Sequence, residues 1–276
     1  MRKVSLVLQH PVLAIRRALY NTWRNCDDRC ARMGYYPYPF PIMFHAGLSM
    51  GGSSWMKNLL GQIPGYYDRP LPPALSLPVL DYDDASFVNV PDRCYSYLKT
   101  HMNPKQENLD VLYRNGVKKI LITHRDLRDV AVARYYRLLA QPKPGYASYA
   151  HMSKAEGLAH SISFVGSHHK VWIDDWFKLA GKNTSRFKFI TFEELKADTV
   201  GTLKSVLMFF GISLPDRKIR RIVSNAQGRG TLHKNLIAAK VLPFGVSSTF
   251  RSGEVGSWKH EFDQYHIEQC KDWGIQ

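Results

Sequence analysis

Short apolar runs alternate with longer segments of helical periodicity through most of the chain. Ile42–Ala46, Tyr95–Lys99, Lys118–Thr123 and Arg186–Thr191 read as strands, because each is a compact run of apolar and β-branched or aromatic residues bounded by turn formers. Between them lie helical patterns. Trp55–Leu60 is one, and Lys105–Asn115, stopped by Gly116, is another. A third is capped by Asp126 and carries Leu127, Val130, Ala131 and Leu138 on one face. Ser153–Leu179 is helical in parts, with Trp172, Trp176 and Phe177 on one side. Val200–Phe210 ends at Gly211, and Pro215–Ser224 and His260–Asp272 complete the set. Asp68–Asp84, Gln141–Ala150 and Gln227–Gly256 read as loops, and the proline-punctuated Tyr35–Pro41 reads as a linker into the first strand. Strand–helix alternation at these lengths predicts an α/β fold: a single domain with a central, mostly parallel sheet of four or five strands and helices on both faces.

Composition narrows the class. A chain of 276 residues that is 45% apolar and 22% charged is neither disordered nor fibrous, and it is long enough for a large core. Its 38 Lys and Arg against 23 Asp and Glu leave a formal charge of +15. That surplus points to a polyanionic partner: nucleic acid, an acidic membrane surface or a highly charged phosphate compound. Nucleic acid ranks last, because the basic residues are scattered and the aromatics fall in core helices. Cys26, Cys30, Cys94 and Cys270 are too few for a disulfide framework, and Cys26 and Cys30 lack a second ligand pair downstream, so no metal is expected. Reduced thiols fit a cytoplasmic protein. No apolar run reaches the roughly 18–20 residues of a spanning helix. Met1–Leu8 and Val12–Trp23, with Arg16, Arg17 and Arg24, form a basic amphipathic stretch without the apolar centre of a signal peptide. Packing on the domain's flank is favoured over contact with an anionic membrane surface.

Four clusters carry candidate chemistry. Gly47-Leu-Ser-Met-Gly-Gly-Ser-Ser54 lies between a strand and a helix with phosphate-loop spacing, where backbone N–H groups and the helix dipole suit an anion. Ser53 occupies the usual lysine position of that spacing, which argues against nucleoside triphosphate hydrolysis. Lys99-Thr100-His101 ends a strand, where sites of parallel sheets lie; His101 suits a general base and Lys99 can neutralise developing charge. Arg125 follows another strand at a helix start and can fork onto a phosphate, whereas Arg128 and Arg134 read as solvated helix charges. Phe250-Arg251-Ser252-Gly253 is a glycine-flanked arginine suited to anion capture.

Together these clusters resemble the cytosolic-type sulfotransferase family, whose donor is 3′-phosphoadenosine 5′-phosphosulfate (PAPS). Gly52-Ser53-Ser54-Trp55 is similar to the family's P-K-S-G-T-T-W loop, and Lys99-Thr100-His101 to its K-T-H element. Arg125-Asp-Leu-Arg-Asp-Val-Ala-Val resembles R-N-P-K-D-V-A-V, Phe192-Glu-Glu-Leu-Lys resembles Y-E-D-M-K, and Phe250–Lys259 resembles R-K-G-x-x-G-D-W-K. The resemblance spans roughly residues 41–262, in order. It fits a sulfotransferase-like domain over 37–276, preceded by the N-terminal basic helical extension over 1–36 that the residue pattern sets apart. It further implies that His101 is the catalytic base with Lys99 beside it. Met50, Gly51, Gly52, Ser53 and Ser54 hold the 5′-phosphosulfate, Trp55 and Phe192 lie near the adenine, and Arg125, Ala133, Phe250, Arg251, Ser252 and Gly253 surround the 3′-phosphate. No metal is implied.

The departures bear on activity. Met50 stands where the family has a lysine that contacts the leaving oxygen, Ala133 where it has a serine, Phe192 where it has a tyrosine, and Ser252 where it has a lysine. Lys57, one turn into the helix, is a candidate substitute for the missing ammonium. The expected function is sulfonate transfer from PAPS to a hydroxyl, or an amine, of a small-molecule or lipid-like acceptor. The alternative is a nucleotide-binding pseudoenzyme of the same fold. Tyr82, Tyr146, Tyr149, Leu242 and Phe244, in the three loops expected to form the acceptor pocket, suggest an apolar or amphipathic acceptor. The sequence carries no signature of oligomeric state.

Overall fold

Strand β1 (Ile42–Gly47) is buried along its whole length and occupies the middle of a five-stranded sheet. In the computed structural model the described residues are 32–69, 71–74, 80–90, 95–140, 149, 151–181, 183–226 and 253–275, with single positions between 19 and 30. The other strands are β2 (Tyr67–Arg69), β3 (Ser96–Thr100), β4 (Ile120–His124) and β5 (Phe187–Thr191). Their order is β2-β3-β1-β4-β5, and every pairing is parallel. β1 is flanked by β3 and β4, which places a topological switch point at its carboxyl end, where ligands of such sheets bind.

Both faces of the sheet are covered, as its near-continuous apolar strands require. Met43, Tyr97, Leu121 and Ile190 share one face with Met56, Leu59 and Leu60 of α1 (Ser53–Leu60), Leu203, Val206 and Leu207 of α2 (Thr199–Phe209), and Ile219, Ile222 and Val223 of a helix over 216–226. Phe44, Leu98, Ile120, Ile122 and Phe187 share the other with Leu109 and Leu112 of helix Gln106–Arg114 and with Trp176 of helix Val171–Ala180. Helix α3 (Leu127–Ala140) follows β4, and Lys154–Phe164 and Gln264–Asp272 pack beside it. Asp126 accepts the Arg128 N–H at 2.9 Å, the cap expected of it.

Several sequence readings change. β2 lies at the start of what reads as a loop from Asp68; three residues, Tyr-Asp-Arg, have no apolar run to announce a strand. The segment Ser153–Leu179 is two helices joined by a π-helical turn, Val165–Lys170. Trp176 is fully buried, but Phe177 is 48% exposed and stacks on Phe189 at 4.3 Å, so the three aromatics do not share one buried side. Tyr82 and Tyr149 are buried, each packed in an apolar cluster of the core. Arg134 is not a solvated charge: it is buried, its guanidinium lies 3.8 Å over the Phe164 ring, and it donates to the Tyr149 hydroxyl. Arg128 is half-buried, held by Asp126 and stacked 4.1 Å over Trp258.

The segment before β1 is fastened to the sheet edge. Tyr38 stacks on Tyr36 and Tyr66 and meets Tyr95 edge-on, with centroid separations of 5.2–5.5 Å. The Tyr95 hydroxyl donates to the carbonyls of Tyr36 and Tyr38, and that of Tyr66 to the carbonyl of Phe40. Among the described residues no helix is long and apolar enough to cross a membrane, and no His/Cys/Asp/Glu group could hold a metal. Residues 1–18, Cys94, Tyr146, Leu242, Phe244, Phe250, Arg251 and Ser252 lie outside the described residues.

Candidate active site

The loop leaving β1 turns sharply into α1. Met50 takes φ +62°, a left-handed conformation uncommon for a side chain this bulky, and its thioether packs against the cluster of Leu48, Val130 and Ile162. Gly52 follows at φ +80° as the N-cap of α1. A Cβ on Gly52 would sit 2.3 Å from the Phe192 ring, so glycine is required there on two counts. With no side chain at the cap, the amides of Ser53 and Ser54 meet no capping group. Two open N–H groups at a helix N-terminus, in a turn that brings no acidic residue, can receive an anion.

Phe192 begins a short helix, Phe192–Ala197, directly after β5. Its ring meets Gly52 on one side, Trp55 edge-on at 5.8 Å, and the Arg125 guanidinium at 4.6 Å. Three residues singled out in separate motifs thus share one aromatic neighbour. Arg125, at the carboxyl end of β4, is buried; it donates to the Glu254 carbonyl and pairs with Asp129 at 3.1 Å. Its Nε is buried without a hydrogen-bond partner, a donor left open in a cationic side chain. Gly253, at φ +61°, opens the segment that reaches Arg125 through Glu254. Ala133 lies half-buried on α3.

Asp129 has no signature in the sequence beyond its place in a motif, yet it joins these parts. Fully buried, it accepts the Gly256 and Trp258 N–H groups at 2.8 and 3.1 Å and the Ser257 hydroxyl at 2.9 Å, besides pairing with Arg125. One carboxylate therefore binds α3, the strand-end arginine and the segment 256–258 together, with enough hydrogen bonds to offset its desolvation.

On the other side of β1, His101 follows β3. Its Nδ1 bonds the Gly47 carbonyl, which can only accept, so Nδ1 carries the proton and Nε2 bears the lone pair. Lys99 Nζ lies 2.8 Å from that Nε2. Burial, then the Lys99 charge, pushes His101 down to about 4, so its ring is neutral at pH 7. Burial, then the Lys57 charge, pushes Lys99 down to about 8, with Asp68 opposing. Lys57 does not lie in the loop: it pairs with Asp68 of β2 at 2.8 Å, half-exposed. His101 and the loop converge on Gly47, whose carbonyl holds the imidazole and whose bare Cα lets Ser53 pack within 2.3 Å of where a Cβ would stand.

This arrangement combines an open-amide turn, a buried arginine with a spare donor and a neutral histidine–lysine pair at the carboxyl ends of adjacent parallel strands. A profile described as "Sulfotransferase domain" matches residues 43–274. The chain belongs to the sulfotransferase family. Sulfotransferase 6B1 of Mus musculus is 26% identical over 230 residues, covering 80% of this chain and 71% of that protein. Among solved structures, mouse sulfotransferase SULT7A1 complexed with PAP superposes with a TM-score of 0.63 at 20% identity, over 84% of this chain and 82% of that one. A retinol dehydratase in complex with androsterone and the inactive cofactor PAP superposes with a TM-score of 0.52 at 17% identity, over 86% and 81%. The parallel sheet with helices on both faces is thus the sulfotransferase fold. Of the site residues that the motifs single out, the fold brings Gly52, Trp55 and Arg125 around the Phe192 ring and sets Lys99 and His101 beside the same loop.

Proposed function

We propose that this sulfotransferase-family protein transfers a sulfonate group from PAPS to a hydroxyl, or an amine, of a small acceptor. The observation that carries the reading is the His101–Lys99 pair at 2.8 Å, tied through Gly47 to the open-amide turn. The fit to the donor rests on three features: a glycine cradle that a Cβ would fill, uncapped amides at Ser53 and Ser54, and the unpartnered Arg125 Nε.

In this reading the Ser53 and Ser54 amides hold the 5′ end of the nucleotide, Trp55 and Phe192 flank its base, and Arg125 grips the 3′-phosphate. His101 Nε2 takes the acceptor proton, for which a neutral imidazole with its Nδ1 proton already engaged is the competent form. Lys99 turns from Nε2 toward the transferring group and offsets the charge that grows there. The acceptor oxygen bonds to sulfur as the bond from sulfur to the 5′-phosphate oxygen breaks, and the product nucleotide is 3′-phosphoadenosine 5′-phosphate (PAP). Retinol dehydratase in complex with androsterone supports an apolar hydroxyl compound as acceptor class.

Met50 favours a second reading, a nucleotide-binding protein of the same fold with little turnover. The loop offers a thioether where a leaving oxygen gathers charge, and Lys57 is committed to Asp68. Single-turnover transfer from sulfur-labelled PAPS, across a panel of phenols, sterols and amines, separates the two. Label moved to any acceptor, and lost in His101→Ala, supports the first reading; PAP binding with no transfer to any acceptor supports the second.

A further inference from the structure

Three polar side chains cross the core directly beneath the loop. His45 of β1 is fully buried; its Nδ1 lies 2.6 Å from the Tyr97 hydroxyl of β3 and its Nε2 2.7 Å from the Thr123 hydroxyl of β4. All three point to the face that α1 covers, with Tyr97 level with Met43 and His45 level with Leu121 in the strand register. Burial disfavours a charged ring, so His45 holds a single proton.

The direction of the chain follows from counting donors. A neutral imidazole donates from one nitrogen and accepts at the other. In one direction Thr123 donates to Nε2, Nδ1–H donates to Tyr97, and the Tyr97 proton is left over. In the other, Tyr97 donates to Nδ1, Nε2–H donates to Thr123, and the Thr123 proton is left over. Among the described residues neither hydroxyl has another hydrogen-bond partner. The ends differ in surroundings. Tyr97 is packed in the apolar core, where an orphan proton is costly. Thr123 stands at the carboxyl end of β4, its Oγ1 3.2 Å from the position a Gly47 Cβ would take, with the Ser53 Oγ 3.0 Å from that same point. The leftover proton therefore belongs at Thr123, next to the turn whose amides are open.

We propose that Thr123 is a further anion-binding residue of this site: oriented by Tyr97 through His45, its hydroxyl proton is donated to the 5′-phosphate end of the bound nucleotide. His45 is then a positioning residue, fixed as the Nε2–H tautomer, and it keeps the Thr123 oxygen occupied as an acceptor so that the proton must point away. A fixed donor at this place complements a loop whose family lysine is replaced by Met50. The ligand named here rests on the sulfotransferase reading; the tautomer and the direction of the chain do not.

Two measurements test it. Nitrogen-15 spectra of histidine-labelled protein, with His45 assigned through the backbone, are expected to show the proton on Nε2; a proton on Nδ1 overturns the proposal. Affinities for PAP and for adenosine 3′-monophosphate, which lacks the 5′-phosphate, are then compared in wild type, Thr123→Val and Thr123→Ser. Thr123→Val is expected to weaken PAP by about tenfold or more, the usual scale of a hydrogen bond to a charged group, with the 3′-monophosphate changed less than about twofold and Thr123→Ser restoring PAP. Equal losses on both nucleotides would mark mere damage to the core and overturn it, as would unchanged PAP affinity. A wild type that binds neither nucleotide overturns the sulfotransferase reading and this ligand together, whereas PAP binding indifferent to Thr123 overturns this proposal alone.

Discussion

Lys99 Nζ stands 2.8 Å from His101 Nε2, so a cation and a neutral base face each other across one hydrogen bond. Burial lowers the proton affinity of both, helped by the Lys99 charge at His101 and by the Lys57 charge at Lys99, which leaves His101 at about 4 and Lys99 at about 8. The pair is therefore in its working form, imidazole neutral and ammonium charged, across the neutral range. We expect kcat/KM to fall as pH rises through about 8, where Lys99 loses its charge, and Lys99→Arg to move that limb to higher pH. A profile with the same alkaline limb in wild type and Lys99→Arg would remove Lys99 from the reaction.

The same lowered histidines make the fold acid-sensitive. His101 and His169 are held at about 4, and His45 also lies below its ordinary value, all chiefly by burial. An unfolded chain protonates these rings near 6.5, so between about 6.5 and 4 it binds more protons than the folded one. Their contribution is complete above pH 6.5 and is lost as pH falls toward 4. Melting temperatures measured in steps across that window should decline steadily; a flat profile would contradict the burial of these rings.

Asp129→Ala removes the partner of a buried guanidinium and three loop hydrogen bonds at once. Breaking a buried pair from one side costs about 3–5 kcal/mol. Denaturant unfolding should show a loss of that size, with Asp126→Ala, which frees the partly exposed Arg128, losing far less. Comparable losses in the two variants would mean that Asp129 is not the central fastening.

Met50→Lys is expected to raise the single-turnover rate of sulfonate transfer by about tenfold or more, because an ammonium in the loop gains most as charge reaches the leaving oxygen. Lys57→Ala should change the rate little, since Lys57 is committed to Asp68. A flat rate for Met50→Lys with a collapsed rate for Lys57→Ala would reverse these assignments.

β1 and β4 are legible because a parallel strand covered on both faces is a near-continuous apolar run, and β3 and β5 because each is a compact run rich in aromatic and aliphatic residues; β2, three residues at the sheet edge, has no such run to show. The glycine turn, Lys99, His101 and Arg125 could be read from local motifs at strand ends. Asp129 could not, since its partners lie 127–129 residues downstream. His45 sits 52 positions from Tyr97 and 78 from Thr123, and only the sheet register brings them together. Arg134 looked solvated because its cover, Phe164 and Tyr149, arrives through helix packing that no local periodicity records.

The tyrosine stack ahead of β1 determines where the folding unit can begin. Tyr36 also fills the space over Gly65, where an added Cβ would lie 2.6 Å from its ring. A chain shortened to start at residue 37 would lose the ring that stacks on Tyr38 and covers Gly65, together with one of the two carbonyls that the Tyr95 hydroxyl holds. Such a fragment would leave the Tyr38 ring open on the side that Tyr36 covers, so a boundary placed between residues 36 and 37 cuts through a packed aromatic stack.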